Sequence, residues 1–172
     1  MKAALKIILL AAAFWAQVPI YCVAAESVNV KMLFNRITHA ETTPVGDVKY
    51  HSIMLLVREG VAVFENGDFA EAKSSLILDF VNGAGTFEVY LTCAFRDGSM
   101  IKIHSRGAAK GTADAVAATS KLTGDIIEGA GRFAGARGTF TSSTNVVLPT
   151  DKGQPLKQSL IEGVLVYTPA NK

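Results

Sequence analysis

Apolar and polar residues alternate along most of this chain with a period of two. Val28, Val30 and Met32 interleave with Asn29, Lys31 and Leu33. Phe87, Val89, Leu91, Cys93 and Phe95 share one parity, and Glu88, Tyr90, Thr92, Ala94 and Arg96 share the other. Met100, Lys102, His104 and Arg106 alternate with Ile101, Ile103 and Ser105. Successive side chains of a strand point to opposite faces, so this period predicts sheets with one apolar face. Strands are expected near 28–38, 48–57, 61–66, 70–81, 86–96, 99–108, 117–128, 136–147 and 159–168.

The breaks between these segments carry turn residues. Glu59-Gly60, Asn66-Gly67-Asp68, Asn82-Gly83-Ala84-Gly85 and Asp97-Gly98 supply positions that tolerate the positive φ of tight hairpins. Asp97-Gly98 has alternation on both sides and is the clearest hairpin signal. Read as a two-residue turn, it pairs Arg96 with Ser99, Ala94 with Ile101 and Thr92 with Ile103. That register sets polar residues opposite apolar ones, which calls for an offset turn or a bulge. The Ala-rich stretch Ala113 to Lys121 also has the propensity for a short helix. Pro149 to Pro155 reads as a polar loop before the last strand. Sequential antiparallel strands must close or blunt their edges, and one small barrel is the economical solution.

The N-terminus obeys a different rule. Lys2 and Lys6 precede an almost wholly apolar run from Ile7 to Tyr21, and Val23-Ala24-Ala25 places small residues before Glu26. These are the three parts of a secretory signal peptide, with cleavage expected after Ala25 and a periplasmic or secreted product. An uncleaved anchor is the alternative, opposed by Gln17, Pro19 and the small-residue end. Tyr21 is too bulky for a lipid-attachment site at Cys22. The expected organisation is thus a signal segment, 1–25, and then one domain, 26–172.

Cleavage changes the charge. The full 172 residues carry 17 Lys+Arg and 15 Asp+Glu. The first 25 hold two lysines and no acid, so the remaining 147 carry 15 of each sign. Binding a nucleic acid requires a basic cluster, and none remains, so no nucleic-acid partner is expected. Cys93 becomes the single thiol, on the face of Leu91 and Phe95, where it reads as buried and inert.

The most distinctive stretch is Gly129-Ala130-Gly131-Arg132-Phe133-Ala134-Gly135-Ala136-Arg137-Gly138-Thr139-Phe140. Its opening matches Gly-x-Gly-x-x-Ala, a dinucleotide fingerprint that requires a helix after it. Gly138-Thr139-Phe140-Thr141 occupies that place and is rich in β-formers. The better reading is a corner between strands, with Phe133 plugging a barrel end. This run resembles the glycine-rich corner of dirigent proteins, allene oxide cyclases and their bacterial relatives. Phe64 to Asp68, Asp79 to Gly85, Phe95 to Ser99 and Ile161 to Tyr167 are similar to further segments of the bacterial members. The resemblance spans roughly 45–168, with only the glycine corner specific. It implies an all-β, single antiparallel eight-stranded, calycin-like barrel of the allene oxide cyclase type after an N-terminal signal helix. It also implies a cavity for an apolar small molecule, no cofactor, and a homo-oligomer, dimer or trimer.

The chain departs from the family at Arg132, where dirigent proteins often carry an acid near the corner. Arg137 matches the family's Ala-Arg-Gly arginine and is either a pocket residue or a structural ion-pair member. Tyr90, His104 and Arg106 form either a solvated outer wall or a polar patch at one end of the cavity that orients an anionic or carbonyl ligand. With Phe133, these are the ligand-binding candidates. His39, His51 and His104 have no metal-ligand spacing, and no nucleophile elbow or phosphate loop occurs, so no metal and no catalytic constellation are expected. The functional expectation is an exported barrel that binds a small apolar molecule. A cofactor-free cyclase or isomerase, and an interaction protein using the barrel wall, are the alternatives. Intact-mass measurement of protein exported by its host should give a chain beginning at Glu26; retention of 1–25 would show an anchor.

Overall fold

The computed structural model describes residues 24–111, 117–147 and 159–169. The strands are β1 (Glu26–Pro44), β2 (His51–Phe64), β3 (Phe69–Val81), β4 (Ala84–Phe95), β5 (Met100–Gly111), β6 (Ala117–Ala130), β7 (Arg137–Val147) and β8 (Ser159–Thr168). Each pairs with the next, and β1 pairs with β8, giving one closed eight-stranded antiparallel barrel. Closure satisfies the backbone hydrogen bonds that an open sheet would leave at its edges. The predicted signal helix, Cys22 and the Pro149–Pro155 loop lie outside the described residues.

The inward parity is the one the alternation predicts. Val30, Met32 and Phe34 of β1, Phe87 to Phe95 of β4 by twos, and Ile101 and Ile103 of β5 are buried. They meet Phe140 of β7 and Leu165 of β8 in one core.

One local expectation is corrected and two open alternatives are decided. Segments 48–57 and 61–66 are one strand, β2, and Glu59-Gly60 is no turn. Gly60 lies where the register of β1 slips between Phe34 and Arg36. A Cβ there would stand 1.9 Å from the Leu33 carbonyl oxygen, so the glycine admits a close approach of backbones. The Ala-rich piece is strand from Ala117 onward, because pairing with β5 and β7 outweighs local helix propensity; 112–116 lie outside the described residues. The β4–β5 turn is offset from the two-residue reading. Phe95 N–H donates to the Ser99 carbonyl across a three-residue loop, and Gly98 N–H returns to the Phe95 carbonyl. Ala94 therefore faces Met100, Cys93 faces Ile101 and Leu91 faces Ile103, apolar against apolar.

The β2–β3 loop repeats this geometry. Phe64-Glu65-Asn66-Gly67-Asp68 and Phe95-Arg96-Asp97-Gly98-Ser99 both place a glycine at positive φ, +88° and +80°. In each, the Asx side chain accepts from the N–H two residues on, Asn66 from Asp68 and Asp97 from Ser99. This is a turn closed by a left-handed bulge residue, which only glycine adopts without strain.

Both loops are flanked by an inward phenylalanine, and the glycine corner supplies the third. Phe133 ends a single turn of 3-10 helix, Gly131–Phe133, and is buried as expected. Its ring lies 5.0 Å from Phe95 and 5.7 Å from Tyr167, and Phe95 lies 5.2 Å from Phe64. Arg132 covers this plug, 4.6 Å above Phe95 and 4.8 Å above Phe133. Its guanidinium meets Asp68 at 2.7 Å and Asp97 at 3.5 Å, joining all three loops. Phe133→Ala should destabilise the barrel by about 3–5 kcal/mol through lost burial and an open cavity. Urea denaturation measures this, and a loss under about 1 kcal/mol would show that the plug does not close the core.

Candidate functional site

The plugged end of the barrel has no room for a ligand. Between Val30, Met32, Phe64, Cys93, Ile101, Ile103, Phe140 and Leu165 the interstitial space is about 210 Å³, none of it wide enough for water. Burial pushes the Cys93 thiol up to about 12, so it stays protonated and inert, as its apolar face suggested. Phe133 packs against Phe95 in the plug beside this core.

The sequence candidates Tyr90, His104 and Arg106 come together, but on the outer wall. Their strands pair Tyr90 with His104 and Glu88 with Arg106. The two rings stack at 4.5 Å, nearly parallel, and Arg106 Nε donates to Glu88 Oε1 at 2.6 Å. Inward neighbours Val89, Ile103 and Ser105 are buried, so the opposite parity faces solvent. These are cross-strand pairs that stabilise the sheet, and the cavity-lining reading is corrected. Arg137 is likewise exposed, opposite Thr168 at the start of β7, and does not face the interior.

Two open grooves cross this outer wall. One of about 820 Å³ runs over β6, β7, β8 and β1, flanked by Lys121, Glu162 and Lys31, with Lys31 and Glu162 paired at 2.9 Å. Another of about 410 Å³ lies beside His104, Arg106 and Asp125. The lining of the larger repeats an out-in-out triplet on each strand, as at Lys121-Leu122-Thr123, so its floor is backbone.

The interior residue that sequence reading missed is Arg58, on β2. It is 5% exposed, and its Nε donates to Ser74 Oγ at 3.2 Å and its Nη1 to Ser159 Oγ at 2.6 Å. The guanidinium sits 4.7 Å over the Phe34 ring. Desolvation pushes its pKa down to about 10, so it remains charged at neutral pH. Among the described residues no carboxylate pairs with it. Ser105, also inward and buried, has a hydroxyl without a partner there. Arg58 escaped notice because Glu59-Gly60 read as a turn. Once β2 is continuous, Arg58 shares parity with Leu56, Ala62 and Phe64. Yet Ile53, Leu55, Val57, Val61 and Val63 make the other face equally apolar, so alternation alone chooses neither.

The end opposite the plug is walled by inward residues that keep partial exposure: Ile37, Met54, Leu78 and Phe80. At its rim His51 bridges two acids, Nδ1 to Asp47 at 2.6 Å and Nε2 to Asp79 at 2.7 Å. This ties the β1–β2 loop to β3. Among the described residues no cluster of three or more His, Cys, Asp or Glu side chains is placed to hold a metal.

No protein-family model matches the chain, and no curated protein matches it in sequence. Among solved structures it is similar to a pterocarpan synthase dirigent protein, with a TM-score of 0.51 and 11% identity over 92% of this chain and 99% of that one. The likeness is one of fold alone.

The rim bridge makes a pH prediction. Hydrogen bonds to Asp79 and then Asp47 raise the His51 pKa above 6.5, and the His51 contact lowers that of Asp47. The His51 contribution is complete below its ordinary pKa and is lost as pH rises through the raised value; the Asp47 share is lost as pH falls through its lowered one. Amide exchange of 45–50, corrected for intrinsic rates, should therefore speed up from pH 6 to pH 9. His51→Gln should remove that dependence, and its persistence in the variant would assign it elsewhere.

Proposed function

We propose that this chain is an exported barrel that binds a small, largely apolar molecule in its interior, entering from the end opposite the aromatic plug. The observation that carries this reading is the asymmetry of the two ends. Phe64, Phe95 and Phe133 are buried and fill one end, whereas Ile37, Met54, Leu78 and Phe80 point inward at the other and stay partly exposed. Partly exposed apolar side chains at a barrel end, with buried polar groups below them, are the ordinary makings of a small-molecule site.

A second reading is a cofactor-free cyclase or isomerase, favoured by the fold likeness to a pterocarpan synthase dirigent protein. A cavity that holds one folded conformer of a reactive ligand lowers the entropic part of its barrier without a catalytic triad. A third reading uses the outer wall for self-association. It is favoured by the outer face of β2, where Ile53, Leu55, Val61 and Val63 are 38–46% exposed beside Ile77 and Phe69 of β3.

Native mass spectrometry of protein purified from its host should show a retained small molecule. A panel of lipids and phenolics should contain members that raise the melting temperature. Leu78→Trp, which narrows the mouth, should abolish both effects, whereas Tyr90→Ala on the outer wall should leave them intact. Neither a retained molecule nor any thermal shift would sink the binding reading.

A further inference from the structure

Arg58 is out of keeping with its surroundings. A guanidinium offers five N–H donors. Here Nε and Nη1 each meet a serine hydroxyl, and Nη2 forms no hydrogen bond with the described residues. Both acceptors are neutral, and Ser74 and Ser159 are themselves buried, at 0% and 4% exposure. The aromatic face of Phe34 beneath it contributes attraction but no countercharge. Three other arginines of the barrel are paired: Arg36 with Glu59, Arg106 with Glu88, and Arg132 with Asp68 and Asp97. All three are on the outside, where water makes pairing least necessary.

Burying a cation without an anion opposes folding, and apolar replacement of such groups is often neutral or stabilising. A residue that opposes folding and is nonetheless held rigidly by two hydroxyls and a ring is prepared for a charge that arrives separately. The hydroxyls orient the guanidinium through Nε and Nη1 and leave the N–H groups of Nη2 to donate to an arriving acceptor. Leu56 and Leu76, the neighbouring inward residues toward the end opposite the plug, are apolar and buried.

We propose that Arg58 is the head-group site of the barrel, taking the carboxylate of an organic anion whose apolar body lies toward Met54, Leu78 and Phe80. This rests on the interior-binding reading above and adds the charge class of the ligand. Ser74 and Ser159 position the guanidinium. The apolar walls select against small hydrated anions, which have nothing to place against them.

The test uses matched probes on the full exported protein: decanoate against decanol, and 2-naphthoate against 2-naphthamide, with acetate as the small anion. Calorimetric titration should show both large carboxylates binding and acetate failing. Arg58→Met should weaken the carboxylates about ten- to a hundredfold, the loss expected for a buried charge-assisted pair. It should leave decanol and 2-naphthamide within about twofold, a difference too small to represent a lost hydrogen bond. Arg58→Lys should restore part of the carboxylate affinity. Without ligand, Arg58→Met should melt no lower than the parent protein, and decanoate should raise the melting temperature of the parent alone.

Equal carboxylate affinity in parent and Arg58→Met would overturn the head-group assignment while leaving interior binding standing. Failure of every probe, neutral ones included, would overturn both. A ligand-free Arg58→Met that melts several degrees lower would show that a group of the chain itself already pairs with the cation, and would overturn the assignment as well.

Discussion

The contact between Phe133 and Phe95, roofed by Arg132, holds together what the strands alone would leave open. Eight paired strands close laterally, but a barrel of this kind still has two ends. Three separate chain reversals converge on one of them, each bringing an inward aromatic ring. Tilted packing of rings at 5.0–5.2 Å buries the end of the core, and one guanidinium spans two rings and two carboxylates above it. The arrangement depends on backbone as well as on rings. Gly67 and Gly98 turn their hairpins so that Phe64 and Phe95 stay in phase with the core, and the glycine corner lowers Phe133 onto them.

Sealing one end closes that end to a ligand. The core beside the plug is packed too closely for water, while inward side chains at the far end remain partly open. Arg58 lies within that far-side interior, held by Ser74, Ser159 and Phe34. Its position conflicts with the rule that buried charges are paired. Such conflicts are tolerated where function requires them, and a well-packed plug is the sort of local stability that offsets them.

Arg132 also has a structural role at the glycine corner. In this barrel the position beside the corner serves the plug, because Asp68 and Asp97 supply its carboxylates from neighbouring turns. A basic residue there is consistent with an end that is closed for packing. A solved structure of similar fold at 11% identity illustrates the general point that alternation and turn chemistry define the architecture, whereas individual polar residues do not.

The sequence by itself determined the strand period, the apolar parity of β1, β4 and β5, the glycine-bearing turns and the role of Phe133 as a plug. These are local properties: a residue's face is set by its neighbours two positions away, and a positive φ by the glycine that adopts it. Tertiary structure decided the rest. Gly60 looked like a turn because only the bulge of β1 across from it shows why the glycine sits inside a strand. Helix propensity near Ala117 yielded to hydrogen bonds with strands distant in sequence. Tyr90, His104 and Arg106 were rightly grouped by pairing, but which side of a closed sheet they occupy is a property of the whole barrel. Arg58 was the least legible, since both faces of β2 are apolar and no local pattern says which one closes inward. Only burial by the other strands makes that arginine a cation in a dry interior.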